Sequence, residues 1–435
     1  MEIGKKIPFF VIMIIFVFLF FHRFLIQAIG IPDASKYILD LLNIVLLILC
    51  LFKQRIKNPT FLCWYALCFL VLIFTGMISF LLFGKLWDTP VINVIFDLRS
   101  IIRFPIFLIS CYNLLNRKQT ELIFRFFIGF HLVNCVYIVY QYFTLEVEKY
   151  WMRGDNLNGF FGTETGGNQF VNVLMVVTTI IVFDKFIKKE YSKNFMLFWV
   201  ALNLIIAVLI ELKFYFVEFA LIALYFIAPY IKKPTAKQLI IGGIALLLIP
   251  IIYSVLVQML YKIYPWMEGT MSLSGMVGNN LSDKGYTGKG DFNRFTAISG
   301  TISKIFHGNI AYSLFGIGLG TANLNGEFAK AYEWTHYSWM STSYMFIETG
   351  FIGFICYSVS LLMPFFLHRK KSIYKNLSKL GAILLIAIMI YDEALRTEAA
   401  YMIFFLVSTG LISNYDCTEE YYQCQRLLTI KSSYP

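Results

Sequence analysis

An all-α polytopic membrane protein is the fold class this sequence predicts, on three observations. Hydrophobic residues make up 58% of 435 positions and charged residues 14%, with a mean hydropathy of +0.68. The apolar residues come in repeated runs of spanning length. The short alternating segments that build a transmembrane β-barrel are absent.

Runs of roughly 17 to 25 apolar residues read as twelve spans: 7–30, 37–52, 60–83, 91–113, 121–144, 166–187, 195–212, 214–230, 238–260, 338–366, 380–395 and 397–413. The first is too long for a signal-peptide core and lacks a small-residue cleavage site, so it reads as a span. Lys and Arg gather in every second loop: Lys5/Lys6, Lys53/Arg55/Lys57, Arg117/Lys118, Lys185/Lys188/Lys189/Lys193, Lys232/Lys233/Lys237 and Arg369/Lys370/Lys371/Lys375. That alternation sets both termini and the tail 414–435 in the cytoplasm and 261–337 outside. It also accounts for the net charge of +11 better than a nucleic-acid surface does, because no aromatic-interleaved basic face is present. The eight cysteines include no CxxC pair, and neither a disulfide frame nor a zinc site is expected.

The chain thus divides into nine spans over 1–260, a major outer loop at 261–337, three spans over 338–413 and the tail. A minor outer loop at 146–167 is dense in Gly and Asn. A connection as long as 261–337 is usually functional or disordered, and the mixed aromatic and charged DFNRF favours order.

Charged residues inside a span need a cavity or a partner. Asp97, Arg99 and Arg103 fall in the fourth span, the arginines one turn apart on one face. They serve either an internal salt bridge, to Asp97 or a neighbouring helix, or an anion arriving from outside. Lys213 sits in the tight outer turn ELKFYF; it either snorkels or binds substrate. Arg294 precedes an amphipathic segment of the long loop. His336 stands where that loop re-enters the membrane, as a member of an interfacial aromatic belt or as a reactive imidazole, with His307 the competing outer histidine. Gly316, Gly318 and Gly320 form GxGxG with no strand beside them, which suits a sharp re-entry turn better than a phosphate cradle. Glu348 lies within the tenth span and needs a partner there, and Gly350 and Gly353 follow it at a spacing that lets another helix approach.

The order GFFGTETGGNQFVNVLM, a cationic turn after a span, a loop arginine, FGIGLG, then H-x-S and ETGxxG resembles the bacterial O-antigen polymerase and O-antigen ligase superfamily (Wzy-like and WaaL-like proteins). The resemblance covers the whole topology, with its motifs concentrated between Gly316 and Gly353. It implies a GT-C-like helical fold in the bacterial inner membrane, with one long periplasmic loop. It also implies inverting glycosyl transfer without metal or cofactor, from sugars carried on undecaprenyl diphosphate. Fixed cations would then stabilise the leaving diphosphate. Arg294 matches the family's loop arginine, Lys213 stands where the family often has an arginine, and His336 matches the re-entry histidine that accepts or orients the attacking proton. Arg99 and Arg103 are additional candidates. Glu348 matches the acidic residue before the glycines, in a structural role. The leading expectation is a polymerase of O-antigen or capsular repeats, with membrane lipid, a chain-length regulator and a flippase as partners. The alternatives are a ligase that moves finished chain to lipid A core and a lipid-linked sugar flippase or transporter.

Overall fold

A computed structural model describes residues 2–52, 58–146, 153–164, 166–231, 254–265, 268, 285, 289–368 and 372–412. The cationic clusters at 53–57, 232–237 and 369–371, positions 238–253 of the ninth expected span, most of 266–288 in the long loop and the tail 414–435 lie outside the described residues.

Helices stand at each expected span: α1 Glu2–Ile29, α2 Tyr37–Leu51, α3 Pro59–Phe83, α4 Val91–Leu114, α5 Arg117–Thr144, α6 Asn168–Ile187, α7 Lys193–Leu209 and α8 Lys213–Ile231. Of the ninth, α9 Ser254–Ile263 is described. Short helices α10 Ala297–Gly300, α11 Ile310–Phe315 and α12 Glu327–Tyr332 come next, followed by α13 Ser341–Phe366, α14 Lys375–Tyr391 and α15 Ala400–Ile412. No strand occurs among the described residues. Among the described residues, six stretches are long and apolar enough to cross a membrane: Lys6–Ile29, Asp33–Leu51, Pro59–Trp87, Arg117–Thr144, Asn168–Ile187 and Ser341–Phe366.

Local chemistry sets several boundaries. Asn58 accepts from the Phe61 N–H at 3.3 Å, with Pro59 at the first helical position of α3. Asn116 and Gln119 form a reciprocal capping box at 3.0 Å each for α5. Ser192 caps α7 through Phe195 N at 3.2 Å. α6 is buried on nearly every side among α5, α7, α8 and α14, and α15 is buried along its whole length. Large hydrophobics such as Phe10, Leu70, Phe74, Val136 and Phe143 face outward, the surface of a helical protein embedded in lipid.

The segment between α9 and α13 is fixed to the bundle by its glycines. FGIGLG threads between α3, α4 and α13, and its backbone pairs with theirs: Ile317 N to Ile347 O at 2.9 Å, Gly318 N to Glu348 O at 3.1 Å, Leu319 N to Gly76 O at 3.1 Å. The Ile347 and Glu348 carbonyls are free because α13 is broken at Gly350 (φ 59°, ψ −166°). A Cβ on Gly320 (φ 81°) would lie 2.5 Å from Val94 N, and one on Gly350 would lie 2.5 Å from Gly316 N. Only glycine permits such backbone-to-backbone contact. The GxGxG motif therefore docks a loop and meets backbone on every side.

Gly320→Ala should lower stability by at least about 2 kcal/mol through left-handed strain and overlap. Gly129→Ala, at a helical site with open space around it, should be neutral or slightly stabilising. Thermal unfolding of the detergent-solubilised variants checks both, and equal midpoints would remove the steric account.

Candidate functional site

The stretch Tyr391–Ala399, between α14 and α15, reads YDEALRTEA: four charged residues in a gap between two apolar helices. Asp392 turns the chain out of the helix (φ −144°, ψ −173°), and its side chain accepts from Ala394 N at 2.8 Å. A break like this leaves backbone groups without helical partners. Here the neighbours supply them. Ser341 donates both its N–H and its hydroxyl to Asp392 O at 2.9 Å each, and Arg103 Nη2 donates to Arg396 O at 2.6 Å.

Both arginines of α4 turn to this break and to α2. Asp97 on their own helix is not their partner. Arg103, with a side chain 4% exposed, pairs with Glu398 at 2.8 Å. Arg99 pairs with Asp40 at 2.6 Å, reaches Glu398 at 4.0 Å and lies 4.7 Å from the Tyr37 ring centroid. Asp97 instead accepts from the Tyr344 hydroxyl, at 3.1 and 3.0 Å to its two oxygens. The arginines are held in ion pairs, yet Arg99 Nη2 and Arg103 Nε remain buried without a hydrogen-bond acceptor.

Arg396 is the residue that the sequence reading missed. Its guanidinium lies 3.1 Å from the Tyr344 ring centroid, Nη1 is 3.5 Å from Ser338 O, and Nε is buried without an acceptor. Among the described residues no carboxylate lies within 4 Å of it. Its signal was the charge density of DEALRTEA between two apolar runs.

Beneath Arg396, wholly buried Glu348 accepts from Gly320 N at 2.9 Å and Ala322 N at 3.4 Å. Its second oxygen has no hydrogen-bond partner and faces the electrostatic influence of Asp97 and Arg396. Glu348 and Gly316, Gly318, Gly320 and Gly350 therefore form one docking unit.

Arg294 reaches the same break from the other side. Its Nε donates to Tyr391 O at 3.1 Å, and its guanidinium lies 4.2 Å from the Tyr391 ring, which also stacks on Phe214 at 3.8 Å. Arg294 borders a cavity of about 340 Å³ whose walls include Ile298, Phe354, Ile386 and Met389. His336 is not part of that wall. Its half-buried imidazole stacks on Trp339 at 3.9 Å, in a left-handed turn (φ 56°). The segments do meet, through Phe292 N to Thr335 O at 2.9 Å and through Ser338 against Arg396. His307 is exposed and apart from these contacts.

Lys213 lies 3.6 Å from Glu211 in the turn between α7 and α8. Burial pushes the Glu211 carboxyl up to about 7, with Lys213 opposing the shift and Asp155 adding to it. Burial likewise raises Asp155, which Lys213 and Asn168 partly offset. Lys213 is thus a cation already shared by two acids.

Two outcomes follow. Removing one member of the buried pair, as in Glu398→Ala, should cost about 3–5 kcal/mol, and Arg103→Met with Glu398→Leu should recover most of it; a double-mutant cycle on unfolding midpoints measures this. For Glu211 the folded value lies above the unfolded one, so its stability contribution is complete below about pH 4 and is lost as pH rises toward 7. Glu211→Gln should match wild type at pH 4.5 and exceed it at pH 8 by up to about 3 kcal/mol.

No family model, curated protein or solved structure matches this chain.

Proposed function

We propose that this chain is a polymerase of the bacterial inner membrane that joins undecaprenyl-diphosphate-linked oligosaccharide repeats into O-antigen or capsular polysaccharide. On this reading it crosses the membrane twelve times with both termini in the cytoplasm, and the outer segment faces the periplasm. One observation carries the reading: Arg99, Arg103, Arg294 and Arg396 all lie at the helix break Tyr391–Ala399, beside the docked outer segment.

The chemistry asks for such a cluster. A hydroxyl of the incoming repeat attacks the anomeric carbon of the growing chain, forming the new glycosidic C–O bond with inversion. The old bond to phosphate oxygen breaks, and the lipid diphosphate leaves with the electron pair. Guanidinium groups with directed N–H donors stabilise that charge. Arg396 and Arg294 stand nearest this role, Arg396 with a spare N–H and Arg294 at the edge of an apolar cavity suited to the carrier's hydrocarbon. Arg99, Arg103 and Lys213, already paired, shape the field around them. His336 accepts the proton of the attacking hydroxyl; it makes no ion pair among the described residues.

In liposomes supplied with lipid-linked repeats, wild type should extend the chain. Arg294→Ala, Arg396→Ala and His336→Ala should each reduce extension about 100-fold or more at normal protein levels. Transfer to added lipid A core without chain growth would make the protein a ligase. Wild-type chain lengths in all three variants would refute the site.

A further inference from the structure

A buried carboxyl that the proposed reaction leaves unused lies between α6 and α8. Glu218 of α8 is wholly buried, and neither of its oxygens has a hydrogen-bond partner. Beside it, Asn172 of α6 is 1% exposed, and its Oδ1 is also without a partner. Three acceptor oxygens therefore meet in an apolar helix interface, where the side-chain donor beside Glu218 is the Asn172 amide nitrogen. The nearby hydroxyls are committed to each other, Tyr215 to Thr179 at 2.9 Å.

An unpaired carboxylate in such surroundings costs several kcal/mol, and an intramembrane acid without a protein partner marks a place for an ion. The approach to it is polar and acidic. One turn before Asn172 on α6, Asn168 donates to Asp155 at 2.8 Å, and Asp155 in turn borders Glu211 and Lys213. Asp392 faces Glu218 from the helix break, with Arg294 near it. Four carboxyls, those of Asp155, Glu211, Glu218 and Asp392, thus surround this interface and its mouth, against two cations, Lys213 and Arg294.

We propose that Glu218 and Asn172 hold a small monovalent cation, Na⁺, entering from the Asp155 side. The ion completes the three orphaned oxygens and ties α8 to α6. Phe214, one turn above Glu218, then holds its stack on Tyr391, the platform for Arg294. This site stands independently of the glycosyl-transfer reading.

The experiment is ²²Na⁺ binding to the purified full chain in detergent, in choline chloride at constant ionic strength. Wild type should bind saturably with one ion per chain, and its unfolding midpoint should rise with NaCl but not with choline chloride. Glu218→Gln, a neutral isostere, should lose both responses, and Asn172→Ala should raise the half-saturating Na⁺ concentration about tenfold. No saturable binding by wild type overturns the proposal whether or not the variants fold. So does undiminished binding in Glu218→Gln, or a midpoint that responds to pH and not to Na⁺.

Discussion

A buried ion pair, Arg103 with Glu398, fixes the architecture of this end of the molecule. It is the contact that lets a helical pair be interrupted in apolar surroundings. The same guanidinium that meets Glu398 caps Arg396 O, so one side chain satisfies both a charge and a backbone carbonyl that the break would otherwise strand. Asp40 then takes the neighbouring Arg99, and α2, α4 and the α14–α15 junction become a single electrostatic unit. Replacing the pair with apolar residues would preserve packing and lose the constraint on where Arg396 points.

The second constraint is steric and acts from the opposite side. FGIGLG can approach α3, α4 and α13 only because no Cβ intervenes, and the break at Gly350 frees the Ile347 and Glu348 carbonyls to receive it. Glu348 adds a side-chain acceptor for the loop's N–H groups at Gly320 and Ala322. The two breaks, at Gly350 and at Asp392, are joined by Tyr344: its hydroxyl meets Asp97 of α4 while its ring lies against Arg396. Rigid positioning of a guanidinium at the rim of a helical bundle arises from these joints together.

Much of this was legible in the sequence. Hydropathy placed the helices within a few residues, because apolar run length is a direct consequence of bilayer thickness. The glycines of FGIGLG were read as a turn, and Glu348 as structural, from local conformational rules that need no partner. The partners themselves were beyond such rules. Asp40 and Glu398 lie 59 and 295 positions from the arginines they meet, and only a tertiary fold decides between them and Asp97. Arg396 was missed for a related reason. The segment was divided into the spans 380–395 and 397–413, which left Arg396 at their seam, where a charge looks like an ordinary loop residue. His336 and Arg294 were expected to act together; their segments touch, but the left-handed turn at His336 stacks its ring on Trp339 and away from the cavity beside Arg294.

The two ends of the bundle differ in how their buried charges are settled, and that difference locates function. At the far end Lys185 lies between Glu121 and Glu190, Tyr374 donates to Glu121, and Lys188 meets both Asp184 and Ile373 O. Each of these charged groups has a partner of opposite sign or a hydrogen bond, as a network serving stability should. At the Arg396 end, Nε of Arg396 and Arg103, Nη2 of Arg99, an oxygen of Glu348 and both oxygens of Glu218 are buried and unmatched. Unmatched buried groups are costly, and the charged groups around Lys185 are matched where several at the helix break are not. The unsatisfied donors at the helix break belong to arginines, beside single oxygens of Asp40 and Glu348, while the α6–α8 interface holds the unsatisfied oxygens of Glu218 and Asn172. An anion therefore suits the helix break, and a cation suits the α6–α8 interface.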